Sequence, residues 1–500
     1  MKVHVVLNFL ANLGAALFGI FITPFVLRRW GPEAYGLLAT GLLMQTLFGL
    51  LEIGFSYGMV KMLAEANTKN DRQHGARIVF SSVEKCYLII SLGLVTVFYF
   101  IFDSKLGGQL FEGAAQVSGG LTTLQLFGPM IACQTLVMLY RNALLGLGAQ
   151  GAAAVSLFGT TLLRLLGAWI VFNNPGGGID RYCLVLVGSL GLEAFFMWLL
   201  LHQTWLGDRL RLPFRWGNIK VVLGFSLGLS MVAVSQAMLT QLDRLLLTQL
   251  LPLRDFGYFS LALTIANGLV LFHSPISNAA YPVLVRIFST VGIGQDFLLS
   301  VHHFSRWVSV LTTGVFLFVF VFSDQLVQIW LSPNFDYHAL TLVIRFMMVG
   351  VYLNALVQIP LFTQFCQGVT RFAIGYNIFL MFLVIPLTLW AVPEYGLIAV
   401  GWIWVLSNAC LLVYHVWLIH NRFLPNFWRD WLVKDIAQPL VGGIIAAFLL
   451  SDVSVMSFDS WWARILGLTG CAFLIQFAVL VGSPLTLDRV KDWLNSRHNA

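Results

Sequence analysis

Charge is what this sequence has least of. Of 500 residues only 10% are Asp, Glu, Lys or Arg, while 58% are hydrophobic, and mean hydropathy is +0.83. A soluble fold keeps roughly 25% of its residues charged because its surface must be solvated. A soluble chain of this length is therefore excluded. Apolar stretches that alternate with polar positions are also missing, and with them the signature of a membrane β-barrel. The six cysteines (Cys86, Cys133, Cys183, Cys366, Cys410, Cys471) are scattered in or beside apolar runs. None falls in a CxxC or metal-like spacing, so they read as small apolar residues. There is no GxxxxGK[ST] to cradle a nucleotide phosphate, which excludes a P-loop motor. No HExxH or Cys/His cluster suggests a catalytic metal, so no cofactor is expected.

What remains is long apolar runs. A bilayer core needs about 20 apolar residues per helix, and backbone groups in lipid must be satisfied within the helix. By that measure 14 spans are expected. The first six run near 5–27, 35–56, 78–102, 121–140, 152–172 and 182–201. Six more follow near 221–242, 256–276, 307–322, 340–365, 372–392 and 397–419, and a last pair near 436–450 and 465–481. The first run outlasts the roughly 7–15-residue core of a cleaved leader, so it is read as a span. The organisation is an all-α polytopic membrane protein with a six-helix bundle at 1–205, a second at 216–421 and an accessory pair at 432–485. Residues 58–77 mix Met59, Val60, Met62 and Leu63 with Lys61 and Glu65, a pattern that suits a helix lying at the interface.

Loop charge orients the chain. With the N-terminus inside, 19 loop Lys and Arg fall on inside segments and 7 outside, the latter being Arg28, Arg29, Lys105, Arg181, Arg244, Arg254 and Arg464. Basic residues concentrate on the cytoplasmic side of membrane proteins. Both termini are thus expected to be cytoplasmic. The net charge of +7 then reflects topology, and no nucleic-acid partner is expected. The halves echo one another at an offset of 221 residues: Tyr35–Gly36 in GPEAYGLLA aligns with Phe256–Gly257 in LPLRDFGYFSLA. Two six-span halves that both start inside make a parallel repeat, which transporters use to place a site between bundles.

The opening NFLANLGAALFGIFITPFVLRRWGPEAYGLLA and LLEIGFSYGMVKMLAEA (Leu50–Ala66) resemble bacterial polysaccharide and O-antigen exporters. So do LLGLGAQGAAAVSLFGTTLLRLLG, QLDRLLLTQLLPLRDFGYFSLA and SPISNAAYPVLVRI. That family belongs to the multidrug/oligosaccharidyl-lipid/polysaccharide exporter superfamily. The resemblance spans roughly the first 420 residues. Glu52 stands where the family usually has Asp, and Lys61 lies near an Arg-like position. The resemblance implies two bundles in a V around a central cavity, working by alternating access. The implied cargo is an undecaprenyl-diphosphate-linked oligosaccharide (O-antigen, exopolysaccharide or capsule repeat unit), flipped from the cytoplasmic to the periplasmic leaflet of a bacterial inner membrane. Partners are then the lipid-linked oligosaccharide, membrane lipid and polysaccharide-assembly membrane proteins.

Ionisable groups within spans cost about 2.5–3.5 kcal/mol at a helix centre, so they face an interior or a cavity. Arg345 is the foremost candidate contact, because a fixed guanidinium suits a diphosphate. Glu52 and Lys61 sit at the inner end of the second span, and Asn8, Asn12, Gln45 and Asn267 could hydrogen-bond sugar hydroxyls. Such amides also serve as interhelical glue. Asp243, Arg244 and His273 are candidates for coupling to a proton or sodium gradient, although Asp243–Arg244 also suit a structural interfacial role. Arg164 and Glu193 fit a buried interhelical pair of the first bundle. Three other readings stay open: a peptidoglycan-precursor flippase, a multidrug exporter, or a membrane glycan polymerase or ligase. The last is disfavoured because the outer loops are too short to house catalysis, so the chain is not expected to be an enzyme.

Overall fold

The computed structural model describes residues 2–68, 70–103, 112–206, 241–331, 337–367, 369, 371–419, 422, 424 and 427–485; along much of 2–20 and 50–74 that description is of the backbone. Every extended element among them is helical, and no strand occurs among the described residues. The chain divides into two compact units, Met1–Tyr258 and Phe259–Ala500.

The first unit opens with α1 (Lys2–Thr68), which carries both of the first two expected spans. They part at Gly31, whose φ of 88° lies where a side chain would be strained. Pro32 follows, suited to start a helix because the first N–H of a helix has no internal partner. Helix α2 (Asn70–Asp103) begins almost where α1 ends, so residues 58–68 and 70–77 belong to the ends of two long helices. A short 3-10 turn (Glu112–Gln116) precedes α3 (Gly120–Gly146), α4 (Gln150–Asn173) and α5 (Ile179–Leu201). Phe80, Phe127, Met130, Val137 and Met197 fill the core between them. On the opposite faces Ile89, Leu92 and Phe100 of α2 and Leu166, Trp169 and Ile170 of α4 stand exposed. Large apolar side chains on the outside are what a lipid-facing surface requires.

Helix α6 (Leu253–Asn267) begins in the first unit and enters the second at Phe259. Its start exposes the physical content of the sequence repeat. A Cβ on Gly36 would collide with the carbonyl oxygen of Leu253, and one on Gly257 would collide with that of Pro32. Both glycines and both carbonyls are related by the same 221-residue offset, so the two contacts are reciprocal. Small residues let membrane helices bring their backbones together.

In the second unit α7 (Val270–Val291) leaves α6 at an angle of 46°. The expected span ended at Ile276; the helix instead continues to Val291, because Asn278, Pro282 and Arg286 interrupt the hydropathy but not the backbone. Then come α8 (Gln295–Trp330), α9 (Tyr337–Cys366) and α10 (Arg371–Leu418), the last containing two expected spans joined at Gly396 with φ 57°. A π-helical turn (Trp431–Ala437) leads into α11 (Gln438–Leu450), and α12 (Trp461–Gly482) pairs with it. This pair is built into the unit. Gly443 packs on Leu317 and Val479, Gly314 abuts Gln476, and Gln476 Nε2 donates to the Val310 carbonyl at 3.0 Å.

Among the described residues nine helices are long and apolar enough to cross a membrane, or ten if α6 and α7 make one span. Since α10 counts once there and α1 is not among the nine, this agrees with the many-span reading of the sequence.

Candidate functional site

In the first unit three helices converge on one carboxylate. Glu193 of α5 is buried to 1% side-chain exposure, and Arg141 of α3 donates to its Oε1 at 2.7 Å. Arg164 of α4 lies 3.8 Å from Oε2, which also accepts from the Thr160 hydroxyl at 3.1 Å. Arg164 Nε is held in turn by Ser189 Oγ at 3.0 Å. The Arg164–Glu193 pair read from the sequence is therefore present, with Arg141 as an unforeseen third member. Two guanidiniums on one carboxylate leave one positive charge in excess. Both arginines keep about a fifth to a quarter of their side chains exposed, and Arg141 Nε is buried without a hydrogen-bond partner among the described residues. Chemically, such a cluster can stabilise an anion. One residue before Arg141, the Tyr140 hydroxyl donates to Oε1 of Glu84 on α2 at 3.1 Å.

The second unit holds Arg345 differently from a lone cavity cation. Its Nη2 meets Asp324 Oδ2 at 2.5 Å, and its Nε donates to Ser323 Oγ and the Phe320 carbonyl. Arg345 thus reaches from α9 to the C-terminal end of α8 and is charge-balanced there. A row of amides crosses from α9 to α10: Gln358 Nε2 donates to Asn354 Oδ1 at 3.0 Å, and Asn354 Nδ2 to Asn408 Oδ1 at 3.3 Å. The Asn354–Gln358 spacing of one helical turn was the available signal for this row. His273 is buried on α7, with Nδ1 lacking a partner among the described residues. A further buried carboxylate, Asp435 of the π-helical turn, is fully enclosed and takes His302 Nδ1 at 2.5 Å and Arg306 Nε at 2.7 Å from α8. Its signal was only a lone acidic residue beside a basic linker.

The other sequence candidates scatter. Gln45 on α1 is half-buried and Asn267 is exposed at the end of α6. Asp243 and Arg244 lie in the helical stretch 241–250, where Asp243 Oδ1 accepts from the Arg244 backbone N–H and Arg244 Nη1 reaches Gln241 Oε1 at 3.4 Å. The side chains of Asn8, Asn12, Glu52 and Lys61 lie outside the described ones, though their backbones belong to α1. Of the candidates, then, only the neighbours Asp243 and Arg244 are seen in contact.

The arrangement of helices has known counterparts. It superposes on "Lipid II flippase MurJ, inward closed conformation" with a TM-score of 0.71 at 14% identity, over 95% of this chain and 98% of that one. The chain has the fold of the MOP-superfamily transporters. An inward-facing multidrug resistance MATE family transporter of that superfamily matches with a TM-score of 0.62 at 15% identity, over 84% of this chain and 98% of the other. The MATE multidrug transporter DinF-BH gives 0.54 at 17%, over 86% and 96%. Residues 176–339 match a family model described as "Polysaccharide biosynthesis protein". No curated protein matches in sequence. The MOP-type fold and the polysaccharide pattern both bear out the resemblance read from the sequence, and the long apolar helices make the chain a multi-pass membrane protein.

Proposed function

We propose that this MOP-type chain is a secondary flippase for an undecaprenyl-diphosphate-linked oligosaccharide, moving an O-antigen, exopolysaccharide or capsule repeat unit from the cytoplasmic to the periplasmic leaflet by alternating access. One observation carries the reading: a polysaccharide-biosynthesis pattern over residues 176–339 lies on a fold shared with a flippase. Such a cargo has three chemistries. Its diphosphate wants guanidinium groups, its sugars want many modest hydrogen bonds, and its isoprenoid tail can stay in lipid throughout. Proposed contacts are Arg345, Glu52, Lys61, Asn8, Asn12, Gln45 and Asn267, to which the excess charge of Arg141 and Arg164 adds a further candidate. Asp243, Arg244 and His273 are the proposed coupling groups for a proton or sodium gradient. The bundles 1–205 and 216–421, with the pair 432–485 beside the second, are the proposed domains. We place the chain in a bacterial inner membrane with both termini cytoplasmic, acting as a transporter and not an enzyme, alongside polysaccharide-assembly membrane proteins.

The test is flipping of fluorescent undecaprenyl-diphosphate oligosaccharide in proteoliposomes, with wild type beside Arg345→Ala, Glu52→Ala and Arg141→Gln. Wild type is expected to flip it, with at least one variant slowed tenfold or more, roughly the loss of one charged hydrogen bond. No flipping by wild type would remove the reading. Transport unchanged after all ion gradients are collapsed would remove the coupling groups alone. A second reading, a flippase for a peptidoglycan precursor, is favoured by the end-to-end coverage shared with MurJ; lipid II in the same vesicles separates the two. A cationic drug moved in place of either lipid would point to the multidrug branch.

A further inference from the structure

Between α1 and α4, at the end of α1's first span and the C-terminal end of α4, lies a groove of about 550 Å³. Its depth is apolar: Phe25 and Trp169 stand exposed along it with Leu165 at its foot. Its rim is Arg28, Arg29 and Asn173, and no carboxylate lines it among the described residues. From Arg28 down to Ile22, and from Asn173 down to Leu165, the groove runs about 9–12 Å along the helices at 1.5 Å per residue. Its upper wall is fixed. Trp30 Nε1 donates to the Gly177 carbonyl at 3.0 Å and Arg29 Nη2 to the Asn174 carbonyl at 3.2 Å, tying the end of α1's first span to the turn after α4. Phe172 packs with Trp30 and Tyr182 at ring separations of 5.1 and 6.0 Å.

We propose that this groove is a binding site for a resident anionic phospholipid, its phosphate on Arg28 and Arg29 and one acyl chain against Phe25, Leu165 and Trp169. Three observations converge. Arg28 and Arg29 are adjacent basic residues on the side that the charge bias assigns to the outside, where membrane proteins place few. They are exposed at the level where two spans end, which is headgroup depth. The slot beneath them opens along a helix whose Leu166, Trp169 and Ile170 face lipid, so an acyl chain enters without leaving the bilayer. A zwitterionic lipid would bring a cation as well as a phosphate to the rim; an anionic one brings only the phosphate and a polar head. The site is on the lipid-facing side of the first unit, and it does not rest on the cargo reading.

The test reconstitutes the full chain in phosphatidylcholine vesicles with increasing fractions of phosphatidylglycerol brominated on its acyl chains. Quenching of Trp169 is read as the difference between wild type and Trp169→Phe. Brominated phosphatidylglycerol is expected to half-quench at a mole fraction at least about fivefold below brominated phosphatidylcholine, since each basic group near anionic lipid is worth roughly that factor. Arg28→Gln with Arg29→Gln should abolish the preference, while Lys at both positions keeps most of it. Equal quenching by both lipids in wild type overturns the proposal, as does a preference that survives the double Gln substitution. If that variant does not fold, wild type alone decides, because added salt weakens the attraction between solvent-exposed charges. A preference that shrinks as salt rises supports the site, and one indifferent to salt overturns it. Displacement of phosphatidylglycerol by an equimolar isoprenoid diphosphate would assign the groove to cargo and also overturn a resident lipid.

Discussion

Glu193 and Asp435 solve the same problem at the level of one side chain. Each is a carboxylate with almost no exposure, and each is held by two basic side chains, Arg141 and Arg164 for Glu193 and His302 and Arg306 of α8 for Asp435. A buried ion pair adds little net stability against an apolar replacement, but removing one partner costs about 3–5 kcal/mol, because the other is left charged and unsolvated. Asp435→Asn should therefore lower the melting temperature in detergent by roughly 6–12 °C, taking about 3 kcal/mol at about 2–4 °C each for a unit of this size. A contrast lies five residues away. Asp430 pairs with Lys434 at 3.0 Å one helical turn on, with both side chains at least half exposed. Exposed pairs at this spacing are worth about 0.3–0.5 kcal/mol, so Asp430→Asn should move the transition by about 1–2 °C. Equal shifts for the two variants, measured by thermal unfolding, would mean that Asp435 is not the anchor its enclosure suggests.

At the scale of the helices, the reciprocal contact of Gly36 and Gly257 turns a weak sequence echo into a constraint. A methyl group at either position meets a backbone carbonyl that cannot rotate away. Gly36→Ala and Gly257→Ala should each destabilise by at least about 1–3 kcal/mol, the usual range for overpacking, and by similar amounts because the contacts mirror each other. Gly188→Ala on α5 meets open space; there the better helix propensity of Ala, up to about 1 kcal/mol, should make the change neutral or stabilising. Loss confined to one of the first two variants would show that the symmetry is in the sequence only. The same helices mark what could be read without coordinates. Spans three to six and nine to fourteen were legible because hydropathy and helix length report one physical fact, the thickness of a bilayer. The extension of α7 past Ile276 was not, since Pro282 and Arg286 lower hydropathy without ending the helix. Nor was the second basic partner of Glu193 legible: Arg141 is 52 residues away in sequence, and nothing in a periodicity says which helices touch. Arg345 was legible as a charge within an apolar run, but its engagement with Asp324 depends on where α8 ends, a boundary that hydropathy placed at Phe322 and the structure places at Trp330.

For the molecule as a whole, the open question is whether the last two helices are an appendage or part of the second unit. Their sequence, apolar and last in the chain, suggests an add-on. Their packing ties them closely to α8. Gln476 of α12 donates to the Val310 carbonyl and occupies the space beside Gly314, Gly443 of α11 seats Leu317, and Asp435 just before α11 takes both His302 and Arg306. All of these meet α8, which is also packed by α7 and α9. Without the pair, α8 would lose the carboxylate that His302 and Arg306 both meet and the side chain that covers Gly314, leaving a face shaped for protein and not for lipid. A chain ending at residue 419 should therefore fail to elute as a single species from a sizing column in detergent, while co-expression of residues 427–485 as a separate segment should restore it, since the contacts are noncovalent and lie within one unit. Under the proposed function, flipping by the restored two-piece protein, compared with the intact chain, then asks whether the pair matters beyond stability. A truncated chain that elutes cleanly and flips at the intact rate would mean the pair is packed against α8 without being needed by it.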